Sequence, residues 1–367
     1  MDVSMFFCGD VMTGRGIDQI LPDPADPVLY EPFVKDARDY RYLAEQKNGP
    51  VPAPVPFQYI WGQALNELNR RKTDLRIINL ETSITSSNDY WKGKGINYKM
   101  NPQNIACLSG ANIDICSLAN NHVLDWGFNG LIQTCESLKN AGIQYAGAGL
   151  NRSEAQTPAI LNLKQKGRIV FFSTGSQSSG IPSDWEAKTD HPGVYLIDEY
   201  SSRPVERIAE NISQIKKPGD IFVVSIHWGE NWGYEIPEKQ IEFAHNLIDY
   251  AGVDIVHGHS SHHFKGIEVY NKKPVLYGCG DFINDYEGIG GYEEFRSDLV
   301  LMYFISINNI EHNLVRINLV PFRLKKFTLN RIYSDDIEWT AQVLNKNEIQ
   351  FKTRVKYCEK YGFNLEW

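Results

Sequence analysis

The chain alternates short apolar runs of strand length with longer stretches whose apolar residues recur at helical spacing. The apolar runs predict strands at residues 3–8, 75–80, 113–118, 168–173, 221–226 and 253–257. The helical spacing predicts helices at residues 57–71, 131–141, 205–215 and 236–250. Strands that alternate with helices in this way favour an α/β fold with a largely buried central sheet.

The pattern changes after residue 257. Apolar runs at 266–270, 274–277, 299–307 and 314–321 follow one another with short polar turns, which predicts an antiparallel or mixed sheet. Residues 21–56 hold eight of the 17 prolines and show little periodicity, so we expect an excursion over the surface that is a candidate lid. We therefore predict one domain over 1–330 and a helical extension over 331–367.

Composition narrows the class of protein. A chain of 367 residues with 42% apolar content can bury a substantial core, and a net charge of -8 without a basic stripe argues against binding nucleic acid. Six scattered cysteines without a CxxC pair fit a reducing compartment. No signal-peptide pattern and no run of roughly 18 apolar residues is found, so we expect a cytoplasmic protein without an integral membrane segment.

Polar side chains of the kinds that bind metals follow several predicted strands. Asp10 comes just after the first strand and Glu81 directly after the strand at 75–80. Ligands bind beyond the carboxyl ends of strands in open α/β sheets, so both carboxylates are candidates for a metal or substrate site. Taken alone, Asp10 also fits a simple turn and Glu81 the first turn of a helix.

The next strand leads into Asn120, Asn121 and His122, with Asp125 three positions later. An amide oxygen and an imidazole side by side can serve as a metal ligand and a proton donor, and Asp125 is placed to orient the ring. The alternative is an Asn-rich turn that caps the following helix.

Histidines follow two further strands. His227 ends the strand at 221–226, where it is a candidate ligand or a core histidine, and four of the nine histidines lie between 257 and 263. His257 and His259 are separated by Gly258, which lets the backbone approach closely, although a surface cluster is the alternative. Oxygen and nitrogen donors at five strand ends together predict a site for Mn, Fe, Zn or Co.

The strings GDVMTGR, INLETSIT, SLANNHVLDWG, HWGENW and HGHSSHHFKGIEVYNKKPVLYGCGDF resemble the successive blocks of the CapA-like family of poly-gamma-glutamate and capsule synthesis proteins. The family is related to the calcineurin-like metallophosphatases. The resemblance implies a four-layer α/β/β/α sandwich with two central mixed sheets and one or two divalent metal ions. It implies a proton donor, His122, helped by Asp125, and these metal ligands: Asp10, Glu81, Asn121, His227, His257 and His259.

The sequence departs from the resemblance at one position and offers further candidates for contact with substrate. Met12 stands where a typical metallophosphatase has a histidine, so the first metal has one protein ligand fewer. Arg15 is a candidate for binding an anionic substrate group, because its guanidinium can bind bidentately. The remaining candidates for contact with substrate are Trp228, Glu230, His262 and Asp281.

Three functions are compatible with these residues. The first is a metal-dependent hydrolase that acts on a phosphate ester or on a gamma-glutamyl or peptide amide, with a small-molecule, peptide or polyglutamate substrate. The second is a peptide-backbone epimerase in which Asp10 and a histidine move an alpha proton. The third is a non-catalytic subunit of a polymer synthesis or export complex.

Overall fold

Two β-sheets face each other and carry helices on their outer faces in the computed structural model, which describes residues 1–198 and 201–367. The strands are β1 (Asp2–Val11), β2 (Leu75–Leu80), β3 (Ser83–Ile84), β4 (Lys99–Met100), β5 (Ile115–Ser117), β6 (Gln144–Ala146), β7 (Ala148–Gly149), β8 (Ala159–Leu163), β9 (Gly167–Ser176), β10 (Gly193–Val194), β11 (Leu196–Ile197), β12 (Ile221–His227), β13 (Ile255–His259), β14 (Ile267–Tyr270), β15 (Lys273–Leu276), β16 (Asp281–Ile283), β17 (Leu299–Asn308), β18 (Leu314–Lys325), β19 (Thr328–Arg331), β20 (Arg354–Cys358) and β21 (Gly362–Glu366).

The α-helices are α1 (Arg15–Asp18), α2 (Arg38–Asn48), α3 (Gly62–Arg71), α4 (Ala106–Ser109), α5 (Gly127–Asn140), α6 (Arg152–Gln156), α7 (Arg203–Ile215), α8 (Glu238–Asp249), α9 (Ser334–Leu344) and α10 (Glu348–Phe351). Single 3₁₀ turns lie at Tyr59–Trp61, Pro102–Ile105, Gln177–Ser179, Ser183–Trp185 and Glu293–Phe295. None of the helices in the described ranges is both long and apolar enough to cross a membrane.

The first sheet contains the strand order β20-β21-β18-β17-β1-β2-β5-β6, and the second contains β11-β9-β12-β13-β15-β14. Each sheet is mixed. In the first, β1, β2, β5 and β6 run parallel while β17 and β18 pair antiparallel. In the second, β9, β12, β13 and β15 run parallel and β14 is antiparallel to β15.

Successive side chains of a strand point to opposite faces of its sheet, so the strands contribute to three layers of core. Phe7 of β1 packs between the sheets with residues such as Val223 of β12 and Ile255 of β13. Phe6, on the opposite face of β1, packs under α3 and α5, whereas Val224 of β12 packs under α7 and α8. The two sheets and their outer helices therefore form the predicted four-layer α/β/β/α sandwich, which is confirmed.

The predicted strands and helices of the main body are found with small shifts of their ends. The strand predicted at 253–257 is the one whose shift matters, because β13 runs from Ile255 to His259 and therefore contains both histidines. The helix predicted at 57–71 begins with a 3₁₀ turn at Tyr59–Trp61 and becomes α-helical only at Gly62.

The tail differs from the helical extension predicted for 331–367. Helices α9 and α10 are present, but β20 and β21 follow and form a hairpin that adds to the edge of the first sheet through β18. Polar and apolar residues alternate in β20, which is the period of a strand, and Phe363 of β21 is buried between the sheets. The helical prediction is therefore wrong for 354–366, while the domain boundary at 330 stays a prediction.

The Pro-rich segment 21–56 lies against the main body and contains α2. Leu21, Tyr40 and Val55 are buried along it, whereas Phe33 is 98% exposed. Tyr30 stacks on Tyr90 with ring centroids 3.7 Å apart. The segment is therefore docked by side chains along its length, and its role as a lid stays a prediction.

Candidate metal centre

Parallel pairing in the second sheet brings three histidines and a serine together. Ser225 of β12 is paired with His257 of β13, and His227 is paired with His259. Because residues two apart in a strand share a face, all four side chains continue the face on which Val223 packs into the inter-sheet core. The apolar face thus becomes polar toward the carboxyl ends of the strands.

Asp10 reaches the same place from the first sheet. Gly9 precedes it, and a Cβ at Gly9 would lie 1.8 Å from the carbonyl oxygen of Gly280. Only glycine therefore permits these two backbone segments to approach so closely. The approach pairs Asp10 with Asp281 of β16. The Nδ2 of Asn79 donates to Oδ1 of Asp10 at 2.8 Å, which fixes the carboxylate.

Within the described residues, two groups of side chains could hold a divalent metal ion, and Asp10 belongs to both. The first group is Asp10, His227 and His259, and the second is Asp10, His262 and Asp281. In each group the ligand atoms all lie within 4.8 Å of one another, and every member is buried. A buried carboxylate shared by two such groups is an arrangement that suits a pair of ions.

The ligand atoms of the first group are placed as a bound cation would require. Oδ2 of Asp10 is buried without a hydrogen-bond partner, and the Nδ1 atoms of His227 and His259 approach to 2.8 Å. Burial of a carboxylate oxygen without a partner is costly, and a cation between carboxylate and imidazole donors would remove that cost. Mixed oxygen and nitrogen ligands suit borderline divalent ions, so the residues present fit a metal of this class.

The electrostatics of the centre favour neutral rings and protonated carboxyls when no cation is present. Burial, and next to it the charge of Asp281, raises the pKa of Asp10 to about 7. Burial and the nearby Asp10 also raise the pKa of Glu81. Burial lowers the pKa of both His227 and His259. Neutral imidazoles are the form that binds metals.

His262 behaves differently from the other two histidine ligands. Burial works to lower its pKa, but the adjacent carboxylate of Asp281 and the charge of Asp10 together raise the pKa above its usual value. Nδ1 of His262 lies 2.9 Å from Oδ1 of Asp281. A metal ion in this second group would therefore take the place of a proton that His262 and Asp281 hold between them.

Glu81 and Asn121 lie beside the two groups. The Nδ2 of Asn79 donates to Oε2 of Glu81 at 3.3 Å, which places Glu81 next to Asp10. Oδ1 of Asn121 lies 3.0 Å from Nε2 of His227. The structure therefore brings together the predicted ligands Asp10, His227 and His259, joins Glu81 to Asp10 through Asn79, and places Asn121 against His227.

His122 faces the centre with its ring held from behind. Its Nδ1 lies 2.7 Å from Oδ2 of Asp125 and 2.9 Å from Nζ of Lys94, and its Nε2 points to Oε1 of Glu81 at 3.7 Å. Asp125 also accepts a hydrogen bond from the backbone N–H of Tyr98 at 2.7 Å. Burial lowers the pKa of His122 to about 4, so the ring is neutral near pH 7.

One predicted ligand, His257, belongs to neither metal group. Both of its ring nitrogens are used inside the protein, by the Cys8 carbonyl at 2.9 Å and by Ser225 Oγ at 3.0 Å. Met12 is buried and receives a contact from the hydroxyl of Tyr286 at 3.6 Å. The groups that could hold a metal ion instead contain His262 and Asp281, which the sequence predicts as contacts for substrate.

Arg15 is used inside the protein rather than presented to solvent. It is 2% exposed, its Nε donates to Oδ2 of Asp285 at 3.1 Å, and Nη2 also bonds to that carboxylate. Nη1 donates to Oε1 of Glu31 at 3.2 Å and to the hydroxyl of Tyr40 at 2.9 Å. Four of its five N–H groups are thus occupied, which argues against the predicted contact with a substrate anion.

The tryptophan region also differs from the prediction. Trp228 is 2% exposed, donates from Nε1 to the carbonyl of Tyr277 and packs in the outer core under α8, away from the metal groups. Glu230 is exposed. Trp232, 5.3 Å from the ring of His262 and stacked on Tyr292, is the tryptophan at the rim of the centre.

Three residues of the centre were missed by sequence reasoning. Asn79 could have been found from its place in β2, two positions before Glu81 on the same face. Ser225 could have been found from the S-x-H spacing with His227. Lys94 lies in an irregular segment, where no periodicity indicates which way a side chain points.

Comparisons with known proteins find similar sequences over most of the chain. A family model described as "Bacterial capsule synthesis protein PGA_cap" matches residues 4–286. A Mycobacterium tuberculosis protein named "Probable polyglutamine synthesis accessory protein" is 44% identical over 354 residues, covering 96% of this chain and 93% of its own. The Bacillus subtilis "PGA biosynthesis protein CapA" is 30% identical over 288 residues, covering 77% of this chain and 70% of its own.

A solved structure shares the architecture. It is described as a novel phosphatase of Mycoplasma pneumoniae, and it superposes with a TM-score of 0.50 over 90% of this chain and 95% of its own, at 10% sequence identity. At that identity the likeness concerns the fold alone, and it agrees with the metallophosphatase-like sandwich built by the two sheets.

Proposed function

Because this chain belongs to the bacterial capsule synthesis protein PGA_cap family, we propose that it is a metal-dependent hydrolase that acts in poly-gamma-glutamate or capsule synthesis. Its substrate would be a phosphate ester or a gamma-glutamyl or peptide amide. The observation that carries the proposal is Asp10, a buried carboxylate with an unpartnered oxygen that belongs to two groups of metal-type ligands.

The ligand set of this proposal follows the geometry. Asp10, His227 and His259 would hold one divalent ion, with Asn121 at its edge. A second ion would be held by Asp10, His262 and Asp281, with Glu81 nearby. Divalent ions bound in such groups supply Lewis-acid activation of water and of the oxygen at the scissile bond.

The chain's own residues would handle the proton. Asp125 and Lys94 hold the His122 ring at Nδ1, so that Nε2 faces the centre beside Glu81. With Nδ1–H donated to Asp125, the ring would take up a proton at Nε2 and pass it to the leaving oxygen or nitrogen, while Asp125 stabilises the doubly protonated form. Aromatic rings at the rim, Trp232 stacked on Tyr292, would exclude water from one side of the reaction.

The test is turnover of a model phosphodiester and of a gamma-glutamyl amide by protein reconstituted with Mn²⁺ or Zn²⁺. We expect His122→Gln to lower kcat by about 10²- to 10⁴-fold, the usual contribution of a general acid. His191, an exposed histidine outside the centre, supplies the matched control His191→Gln, which should leave kcat unchanged. Full turnover by a metal-stripped sample would contradict the proposal.

A non-catalytic role is the second candidate, and the naming of the M. tuberculosis relative as an accessory protein favours it. A subunit of that kind would keep the fold without turnover. Absence of turnover on both substrates by a protein that does hold metal would support this second candidate over the first.

A further inference from the structure

His257 lies at the end of a buried chain of hydrogen bonds that leads to the metal ligand His259. Nε2 of His257 lies 2.9 Å from the carbonyl oxygen of Cys8, and Nδ1 lies 3.0 Å from Oγ of Ser225. The same Oγ lies 2.8 Å from Nε2 of His259. All four residues are fully buried, so no bulk water competes for these bonds.

The direction of each hydrogen bond follows from the chemistry of the first acceptor. A backbone carbonyl can only accept, so Nε2 of His257 must carry the proton. His257 is fully buried against Phe7, and its two nitrogens meet a backbone carbonyl and a hydroxyl rather than a carboxylate that would stabilise a charged ring, so the ring holds one proton and Nδ1 is an acceptor. Ser225 has a single hydroxyl hydrogen and donates it to that Nδ1. Oγ of Ser225 must then accept from Nε2–H of His259.

The consequence is a defined tautomer of His259. With its proton at Nε2, the neutral ring presents an unprotonated Nδ1, which lies 2.8 Å from Nδ1 of His227 and 3.9 Å from Oδ1 of Asp10. This is the nitrogen that faces the first metal group. The opposite tautomer would direct an N–H toward the position of a cation.

We propose that His257 and Ser225 are positioning residues that fix this tautomer of His259 and thereby set the metal affinity of the group formed with Asp10 and His227. The inference rests on the metal site of the proposed function, but not on hydrolysis. It also explains why a histidine is placed in mid-strand against Phe7, where it contacts no ligand position.

Ser225→Ala tests the inference with little change of volume. The measurement is the dissociation constant of Mn²⁺ or Zn²⁺ alone, by competition titration against a metal indicator. We expect binding about 10- to 100-fold weaker, which is the usual effect of removing a partner of a ligating histidine. The dissociation constant of the tightest site is the one to compare between the wild type and the variant.

Ser173→Ala is the matched control, because Ser173 is paired with Ser225 on the neighbouring strand β9 and is equally buried. Its Oγ bonds to Ser117 Oγ at 2.7 Å and is one residue further from His259, whose Nε2 lies 3.5 Å from Ser117 Oγ. We expect this variant to bind metal as the wild type does. Equal weakening in both serine variants would overturn the inference, since it would reflect loss of packing alone.

Two changes at His257 separate positioning from packing. His257→Gln keeps one donor for the Cys8 carbonyl and one acceptor for Ser225, so metal affinity should be largely retained. His257→Leu removes both and should weaken binding as Ser225→Ala does. If the leucine variant fails to fold, the serine pair still decides the question.

The tautomer itself can be read from the ¹⁵N chemical shifts of the histidine rings in the metal-free protein. We expect His259 Nδ1 to show the shift of an unprotonated nitrogen in the wild type and to lose that preference in Ser225→Ala. A protonated Nδ1 in the wild type would overturn the inference. If the wild type binds no metal, the proposed function fails, and these shifts still test the tautomer separately.

Discussion

Asp10 is the side chain on which both metal groups depend. It sits where β1 passes close to Gly280, and its two oxygens have different surroundings, one bonded to Asn79 and one without a partner. A carboxylate in such a place is unfavourable as an isolated charge and favourable beside a cation. A proton and a metal ion should therefore compete for the Asp10 carboxylate.

Metal affinity should fall as the pH falls below about 7. Asp10 without metal has a pKa raised to about 7, so below that pH an incoming cation must displace its proton. His227 and His259 do not oppose this, because burial keeps both rings neutral. Displacing this one proton should weaken binding about fivefold from pH 7 to pH 6 and approach about tenfold per unit below that, with proton release measurable by calorimetry in two buffers. Affinity that is flat over this range would contradict the pKa of Asp10.

The two histidines that the sequence could not tell apart are His257 and His262. Both lie within a few positions of His259, and spacing alone offers either as its partner. Which histidine can bind a metal depends on groups distant in sequence. Cys8 and Ser225 occupy the nitrogens of His257, whereas His262 lies against the carboxylate of Asp281. Such contacts are visible only once the strands are paired.

The segment 21–56 is joined to the centre by Arg15. Glu31 and Tyr40 of this segment bond to the guanidinium, which also pairs with Asp285 in the chain that follows β16. Asp285 lies four residues after Asp281, a member of the second metal group. The element that was predicted as a lid is thus connected to the metal centre through one buried ion-pair network.

Arg15→Met should loosen this segment. Removing one partner of a buried pair leaves Asp285 and Glu31 as unpaired buried carboxylates, which costs about 3–5 kcal/mol. We expect limited proteolysis within 21–56 to become at least about 100-fold faster.

Arg38→Met provides the control on the same segment. Arg38 pairs with Asp36 at the surface, where solvent screens the charges, so its removal should leave the proteolysis rate unchanged. Equal cleavage rates in the wild type and Arg15→Met would show that Arg15 does not hold the segment.

The elements that the sequence predicted well are those with a strong period. Strands such as β12 and β17 and helices such as α7 were found within a few residues, because burial of a whole run or of one helical face leaves a clear pattern. The β20–β21 hairpin was missed. Each of its strands is only five residues long, so the alternation is short, and the hairpin is held in place by pairing of β21 with β18, a contact distant in sequence.

At the scale of the whole molecule, the two sheets meet at the ends of β1, β12 and β13, where the apolar inter-sheet core gives way to carboxylates and imidazoles. The resemblance of the sequence blocks predicted this architecture, and the fold is confirmed. The pairing of Asp10 with two groups depends on how closely the sheets approach, which no single strand determines.

The most direct test of this account is the metal content of the purified protein after reconstitution with Mn²⁺ or Zn²⁺, measured by elemental analysis. We expect the wild type and the exposed-site control His191→Ala to hold metal stoichiometrically. Asp10→Ala should lose it, because Asp10 is shared by both groups. A wild type without metal, or an Asp10→Ala variant that keeps all of it, would contradict the account.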